Sequence, residues 1–388
     1  MQGFKLLFKI IVAIALGVLL GAYVPGWVIQ TFATFNDLFG SFLGFVIPLI
    51  IIGFIVPGIG SLGKGAGKLL GLTALVAYLS TVVAGIVAFF IAQSLYPTIL
   101  KGQSAANLDD PSEGLMEGFL ELVVEPPMDV FTALILSFVL GIGIAATKGD
   151  KLLEIMDEFK RIIELVISKI IIPLLPFHIF GIFANMTYAG QVSTIISVFA
   201  KVFILIISLH ILYLIFIYLT AGTMSKQNPF HMMKTMSPAY FTALGTQSSA
   251  ATIPVTLNSA KQLKTRHNVA DFTIPLLANI HLAGSTITIL CTALAVMFIQ
   301  GDTATFSAIL PFILVLGVTM VAAPGVPGGA VMAAVGLLES MLGFGPTMVS
   351  LMIALYLAQD SIGTACNVTG DGAITTIVDS LHEKDKVA

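Results

Sequence analysis

The chain has 388 residues, of which 57% are hydrophobic and 10% are charged, and its mean hydropathy is +1.01. Soluble domains carry about a quarter charged residues, so this composition excludes a soluble globular protein and predicts an all-α, polytopic membrane protein. We expect a lipid bilayer around it and no nucleic-acid partner. The two cysteines, Cys291 and Cys366, lie in apolar segments, which excludes a disulfide framework and a Cys-rich metal site.

The first predicted element is an apolar segment over residues 4–25. It has the length of ~20 residues that spans a bilayer, and it lacks the short apolar core and small-residue cleavage site of a secretory signal. We therefore expect a retained transmembrane helix.

Lysine and arginine residues predict the orientation of the spans, because cytoplasmic flanks collect these residues. When the N-terminus is placed in the cytoplasm, every cluster of positive charge falls on the cytoplasmic side, and the acidic segment 99–129 falls outside. The pattern predicts an even number of spans, with both termini in the cytoplasm and the protein in the plasma membrane.

Hydropathy predicts eight transmembrane helices. They cover residues 4–25, 36–60, 66–97, 128–147, 161–187, 192–222, 268–299 and 347–379.

Two further apolar segments, residues 232–263 and 305–345, are interrupted by Gly, Ser, Thr and Pro. The charge pattern places both ends of the first in the cytoplasm and both ends of the second outside, which predicts two re-entrant helical hairpins of opposite orientation. Irregular backbone at membrane depth is tolerated only inside protein or beside a water-filled cavity. This arrangement is typical of an inverted repeat with its binding site at the midplane. The alternatives are surface loops or ordinary proline-kinked helices.

The last span contains the polar stretch QDSIGTACNVTGD at residues 359–371. On a helix, Asp360, Asn367 and Asp371 lie within a narrow stripe, because they are separated by seven and then four residues. Buried carboxylates that lack a basic side chain in their own span require an external cation, which is a metal ion, a proton or a ligand ammonium group. The alternative is a structural hydrogen-bonded seam between helices.

The seventh span contains PLLANIHLAGSTITI at residues 275–289, and the third contains Ser80 and Thr81. Their hydroxyl and carbonyl oxygens are ligands that a hard cation such as sodium accepts. His281 in this stretch is a buried structural histidine, a proton carrier or a substrate contact.

Three segments resemble, in the same order, the signature motifs of the dicarboxylate/amino acid:cation symporters, the glutamate transporter family. They are GTQSSAATIPVT at 245–256, PGVPGG at 324–329 and NVTGD at 367–371. The resemblance covers essentially the whole chain. It implies an elevator-type transporter that forms a homotrimer, with a scaffold and a transport part in each protomer. The scaffold would be residues 1–65 and 99–190, and the transport part residues 66–98 and 191–388.

The resemblance also implies roles for individual residues. Asp360 takes the place of the aspartate that holds a substrate amino group, and Asn367 that of the asparagine that meets the substrate carboxylate. Asp371 takes the place of an aspartate that binds sodium. The implied substrate-binding set is Gln247, Ser248, Ser249, Val326, Pro327, Gly328, Asp360, Gly363, Thr364 and Asn367. The implied sodium-binding set is Asp371, Asn367, Leu277, His281, Ser80 and Thr81.

Two positions depart from the members of the family that carry acidic substrates. Those members place an arginine in the last span or at the first hairpin, where this chain has Gly363 and Gln247. The only arginines, Arg161 and Arg266, lie at predicted cytoplasmic ends. A second substrate carboxylate would be desolvated without a guanidinium partner, so we expect a neutral amino acid.

The seventh span departs further, because the family's asparagine-methionine-aspartate run is replaced by His281, Leu282 and Ala283. One sodium site therefore lacks its carboxylate and its asparagine. The alanine and the run SSAATIP resemble the serine/threonine:sodium symporter branch. His281 does not belong to that branch's pattern, and it leaves proton coupling open.

The sequence thus predicts a secondary active transporter that imports a neutral, serine- or threonine-like L-amino acid with sodium. The alternative in the same fold is proton-coupled or exchange transport of another amino acid or a dicarboxylate. An intramembrane aspartyl protease is excluded, because Asp360 and Asp371 lie about 16 Å apart on one helix and cannot share a proton. A passive channel would require a polar lining through several spans.

Overall fold

The computed structural model describes residues 2–62, 68–100, 115–120, 124–190, 192–302, 304–323 and 328–387. Within these ranges every regular element is a helix. The first six are α1 Gln2–Gly21, α2 Gly26–Leu62, α3 Lys68–Ile99, α4 Val130–Thr147, α5 Asp150–Val166 and α6 Ile172–Tyr188. The following eight are α7 Val192–Ser225, α8 Pro229–Thr246, α9 Ser249–Ala260, α10 His267–Ile280, α11 Ala283–Ile299, α12 Phe306–Ala322, α13 Gly329–Leu342 and α14 Pro346–Val387.

Six helical segments among the described residues are long and apolar enough to cross a membrane. They are Gly26–Gly60, Leu69–Ile99, Asp150–Tyr188, Ile196–Ser225, His267–Ile299 and Pro346–His382. Shorter apolar helices lie within α1, α4, α12 and α13. The chain is therefore an all-helical, multi-pass membrane protein, as its composition predicts.

Two helices begin well before the residues that hydropathy indicates. α2 begins at Gly26 and not at residue 36, and the helix that contains α5 and α6 begins at Asp150 and not at residue 161. A π-helical turn, Ile167–Ile171, joins α5 to α6. The buried side of α5 consists of Leu153, Met156 and Ile163. The charged residues between them lower the hydropathy of this region without interrupting the helical period.

Most of the helix packing falls into two groups, which are joined by contacts of α12 and α13 with α2 and of α1 and α6 with α14. α1 packs against α6, and α2 packs against α4, α5 and α6. The long helix α14 packs against α7, α8 and α11, and it also contacts α3, α9, α10 and α13. α3 packs against α11 and α12. The polar face of α14 is thus enclosed by protein on several sides.

Each interrupted apolar segment forms a pair of helices that pack against each other. We name α8, Gln247, Ser248 and α9 the first hairpin, and α12, Gly328 and α13 the second hairpin. Gln247 ends α8 in the left-handed conformation, with φ of 52°. The Ser248 hydroxyl oxygen then accepts from the Ala251 N–H at 3.2 Å, which caps the first turn of α9.

The seventh predicted span, residues 268–299, is not continuous. α10 ends at Ile280 and α11 begins at Ala283, and His281 and Leu282 between them take non-helical backbone angles. The break frees the first backbone N–H groups of α11, which then require partners outside their own helix.

Candidate functional site

The polar stripe of the last span lies on one unbroken helix, α14. The side chains of Asp360, Asn367 and Asp371 are buried, with 3% or less of each residue exposed. Buried polar groups need hydrogen-bond partners, so their contacts define what the site can do.

The first carboxylate, Asp360, contacts the second hairpin. Its Oδ2 accepts from the backbone N–H of Gly328 at 2.7 Å, and its Oδ1 accepts from the Thr364 hydroxyl at 3.3 Å. Gly328 has φ of 74°, a left-handed conformation that favours glycine. Both donors are neutral, so they satisfy hydrogen bonds without neutralising the negative charge.

The amide of Asn367 meets the first turn of α11. Its Oδ1 accepts from the backbone N–H of Gly284 at 2.7 Å, and its Nδ2 donates to the Ser285 hydroxyl at 3.0 Å. The Tyr356 hydroxyl donates to the same Ser285 oxygen at 2.9 Å. Asn367 therefore caps one of the N–H groups that the break at His281 and Leu282 frees.

The second carboxylate, Asp371, contacts the break itself. Asp371 Oδ1 lies 2.9 Å from His281 Nδ1, and both residues are 1% exposed or less. On its other side, His281 Nε2 lies 3.0 Å from the Tyr213 hydroxyl, which in turn lies 2.7 Å from the Ser80 hydroxyl. These four side chains come from four elements of the fold.

The tip of the first hairpin is also polar and buried. Gln247 is 2% exposed, and its Nε2 has no hydrogen-bond partner among the described residues. The Thr252 hydroxyl donates to the Ser248 carbonyl at 2.8 Å and lies 3.0 Å from the Thr246 hydroxyl. Ser249, at the start of α9, is 3% exposed.

The arginines do not supply a charge to this site. The Arg266 Nε lies 2.6 Å from Asp379 Oδ1, at the far end of α14, and Arg161 belongs to α5. Clusters of three His, Cys, Asp or Glu side chains with metal-binding geometry are absent from the described ranges.

Comparison with known proteins identifies the family. The chain matches the sodium:dicarboxylate symporter family over residues 6–381. It belongs to this family. The sequence resemblance is therefore confirmed, and the protein is a membrane transporter and not an enzyme.

The chain is also similar to curated proteins along nearly their whole length. The serine/threonine transporter SstT of Acinetobacter baumannii strain AYE is 25% identical over 389 residues, which cover 97% of this chain and 96% of the relative. The same transporter from strain SDF is 26% identical over 388 residues, with the same coverage.

The remaining residues of the implied substrate-binding and sodium-binding sets lie in α3, α10 and α14 or outside the described residues. Val326 and Pro327 fall outside the described residues. The Thr81 hydroxyl donates to the Ala77 carbonyl of its own helix at 2.9 Å, and the Leu277 carbonyl accepts from the His281 N–H at 2.9 Å. Gly363 is buried and faces α11, where a Cβ at this position would lie 3.5 Å from the Thr288 hydroxyl.

Several polar residues of this region were not singled out by sequence reasoning. They are Tyr213, Ser285, Thr288, Tyr356 and His210, and all of them are buried. His210 Nε2 lies 2.9 Å from the Gly284 carbonyl and 3.2 Å from the Thr288 hydroxyl. A histidine inside an apolar span indicates a functional or structural polar contact. His210 in α7 could have been identified from the sequence on this ground.

Proposed function

We propose that this symporter moves a neutral L-amino acid, serine- or threonine-like, into the cell together with sodium. The observation that carries the proposal is the buried carboxylate of Asp360, which meets the neutral donors Gly328 and Thr364. A substrate ammonium group would supply the positive charge that a buried carboxylate requires.

Glycine at position 363 supports a neutral side chain on the substrate. A substrate with a second carboxylate would need a cationic partner, and the Arg266 guanidinium contacts Asp379 at the opposite end of α14. The names of the relatives, serine/threonine transporters, agree with a small hydroxylated substrate. In this proposal Ser248, Ser249 and Asn367 hold the substrate carboxylate, and Gln247 and Thr364 complete the pocket.

Asp371 is proposed as the carboxylate that binds sodium, together with the backbone carbonyls of Leu277, His281 and Asn367. Oxygen ligands suit a hard cation, and a carboxylate supplies its charge. Sodium would neutralise a buried charge on α14 close to the substrate residues. The binding of the two ligands is then reciprocal, so each raises the affinity for the other.

The proposed architecture has eight spans and two re-entrant hairpins in a homotrimer that works as an elevator. The packing supports the division: α1, α2, α4, α5 and α6 pack together as the scaffold, whereas α14 packs among α3 and α7–α11 as part of the transport unit. The second hairpin is proposed as the gate over the substrate, with both termini of the chain in the cytoplasm of a plasma-membrane protein.

Uptake into proteoliposomes tests the proposed function. Radiolabelled serine should accumulate above its external concentration when an inward sodium gradient is imposed, and glutamate should not compete. Concentrative uptake also distinguishes a transporter from a channel. Equal serine uptake with sodium and with choline outside, at the same pH, would contradict sodium coupling.

A proton is the second candidate for the coupled ion, and the contact between Asp371 and His281 at 2.9 Å favours it. Chains of Asp, Glu and His side chains inside membrane proteins serve as proton relays in transporters. An inward proton gradient without sodium would then drive serine accumulation, and an ionophore that collapses the proton gradient would abolish it.

A further inference from the structure

Four buried side chains form a continuous hydrogen-bonded series across the core. Ser80 on α3 contacts Tyr213 on α7, Tyr213 contacts His281 at the break between α10 and α11, and His281 contacts Asp371 on α14. The distances along the series are 2.7, 3.0 and 2.9 Å. We name these four residues the relay. None of them is more than 9% exposed.

The chemistry of the groups fixes the direction of every hydrogen bond when Asp371 is ionised and His281 is neutral. A carboxylate can only accept, so His281 Nδ1 carries the proton. In a neutral imidazole the other nitrogen, Nε2, is then an acceptor, and the Tyr213 hydroxyl must donate to it. The Tyr213 oxygen is left to accept from Ser80. Every donor in the relay therefore points toward Asp371.

We propose that Tyr213 and Ser80 are positioning residues for the cation site, acting through the His281 imidazole. Tyr213 holds the His281 ring by donating to Nε2, and so fixes the orientation in which the Nδ1–H meets Asp371 Oδ1 and the carboxylate meets sodium. Outer partners of this kind orient the ligands of many ion sites, and their loss weakens ion affinity by roughly 10- to 100-fold. The inference rests on the proposed coupling to sodium.

This role differs from direct ligation of sodium by the Ser80 and His281 side chains. In the relay the Ser80 hydroxyl donates to Tyr213, and both ring nitrogens of His281 are hydrogen-bonded. The packing around the ring agrees with a fixed orientation. A Cβ at Gly370 would lie only 3.0 Å from His281 Cε1, so the imidazole lies directly against the backbone of α14.

α7 provides a matched control for Tyr213. The Tyr218 hydroxyl, five residues further along, donates to the Thr369 carbonyl of α14 at 2.7 Å. Tyr218 is as deeply buried as Tyr213 and reaches the same helix, but it contacts backbone and lies outside the relay. Loss of its hydroxyl removes a buried hydrogen bond without touching His281.

The test measures serine binding to the purified full-length protein by isothermal titration at a series of sodium concentrations. For Tyr213→Phe, we expect the sodium concentration for half-maximal serine affinity to rise about 10-fold, while serine affinity at saturating sodium changes less than twofold. Ser80→Ala should give a smaller rise, because the bond between Tyr213 and His281 remains. Tyr218→Phe should leave the sodium dependence unchanged.

Nitrogen NMR of ¹⁵N-histidine-labelled protein measures the ring ¹⁵N chemical shifts of His281. Loss of a hydrogen bond that only stabilises the fold would leave these shifts unchanged. The resonances of His281, assigned by their loss in His281→Gln, should report a proton on Nδ1 in the wild type and in Tyr218→Phe. In Tyr213→Phe the proton on Nδ1 should remain and the Nε2 resonance should shift, because Nε2 loses the hydrogen bond that it accepts from Tyr213.

The outcomes separate the two proposals. Equal sodium shifts in Tyr213→Phe and Tyr218→Phe, or a wild-type proton on Nε2, would overturn the relay while leaving sodium coupling in place. If the serine affinity of the wild type does not depend on the sodium concentration, the proposed coupling is overturned. The role of the relay at a sodium site is then overturned as well.

Discussion

The backbone N–H of Gly328 donates to Asp360 Oδ2 across 2.7 Å, which joins the second hairpin directly to α14. The residue proposed to hold the substrate amine thus also holds the proposed gate. Only one carboxylate oxygen is used by Gly328, and the Thr364 hydroxyl contacts the other at a longer 3.3 Å. A substrate ammonium at Oδ1 would compete with Thr364 and not with the gate. Closure of the hairpin and occupancy by the substrate are therefore compatible.

Substitution of Asp360 by asparagine tests its role as the amine partner. Asp360→Asn keeps the size of the side chain and an oxygen for Gly328, but it removes the charge. Because charge-assisted hydrogen bonds contribute about 1.5–3 kcal/mol, we expect serine affinity to fall by about 10- to 100-fold or more. Isothermal titration of serine at saturating sodium measures the change. Wild-type affinity in a folded variant would refute this role.

Position 363 is predicted to set the charge of the substrate side chain. Gly363→Arg adds a guanidinium group next to Thr364 of the proposed substrate-binding set, and we expect loss of serine binding and a gain of aspartate or glutamate binding. Gly363→Ala is the control, because a Cβ there meets only ordinary contacts, the nearest at 3.5 Å from the Thr288 hydroxyl. Competition by a panel of amino acids against labelled serine measures the selectivity. A Gly363→Arg protein that still prefers serine would argue against this assignment.

Gly284 is predicted to be required for the close approach of α11 to α14. A Cβ at Gly284 would lie 2.5 Å from the Gly363 carbonyl oxygen and 2.8 Å from Cys366 Cβ. Gly284→Ala should therefore lower the free energy of unfolding by about 1–3 kcal/mol and weaken the contact of Asn367 with the Gly284 N–H. The unfolding temperature and serine affinity measure both effects. Gly71→Ala on α3, where a Cβ meets nothing within 4 Å, should leave both unchanged.

The sequence predicted the helices of this protein better than their ends. Long apolar segments locate α3, α7 and α14 well, because hydropathy reports the burial or lipid exposure of side chains. The start of α5 at Asp150 was missed, since the helical period there carries many charges. The break at His281 and Leu282 was also missed, because the non-helical backbone is held by tertiary contacts, among them Asp371, and no glycine or proline occupies it.

The candidate site was predictable only where a side chain is polar in an apolar segment. Asp360, Asn367 and Asp371 stand out for that reason. Tyr213 and Tyr356 do not stand out, because tyrosine is amphipathic and fits an apolar span whether or not its hydroxyl takes part in a site. Their roles depend on the tertiary packing of α3, α7, α11 and α14. A single sequence does not specify which faces of these helices pack together.

The ion pair between Arg266 and Asp379 is predicted to stabilise the end of α14 more than an exposed pair would. Asp379 Oδ1 lies 2.6 Å from Arg266 Nε, the Arg266 backbone N–H donates to Oδ2 at 3.3 Å, and Nη2 donates to the Asp379 carbonyl at 3.2 Å. Asp379→Asn should lower the free energy of unfolding by about 1–3 kcal/mol. The substitution removes the negative charge opposite the Arg266 guanidinium, which makes several hydrogen bonds to this residue.

Asp271→Asn is the matched control for this ion pair. Asp271 lies 2.5 Å from Lys261 Nζ, but its side chain is 51% exposed, compared with 11% for Asp379. Exposed ion pairs contribute about 0–1 kcal/mol, so the control should barely shift the unfolding temperature of the purified protein. The shift for Asp379→Asn should also persist in 1 M salt, where the Debye length falls to about 3 Å and exposed pairs are screened. Equal shifts for the two variants would contradict the stabilising role of the Arg266 contacts.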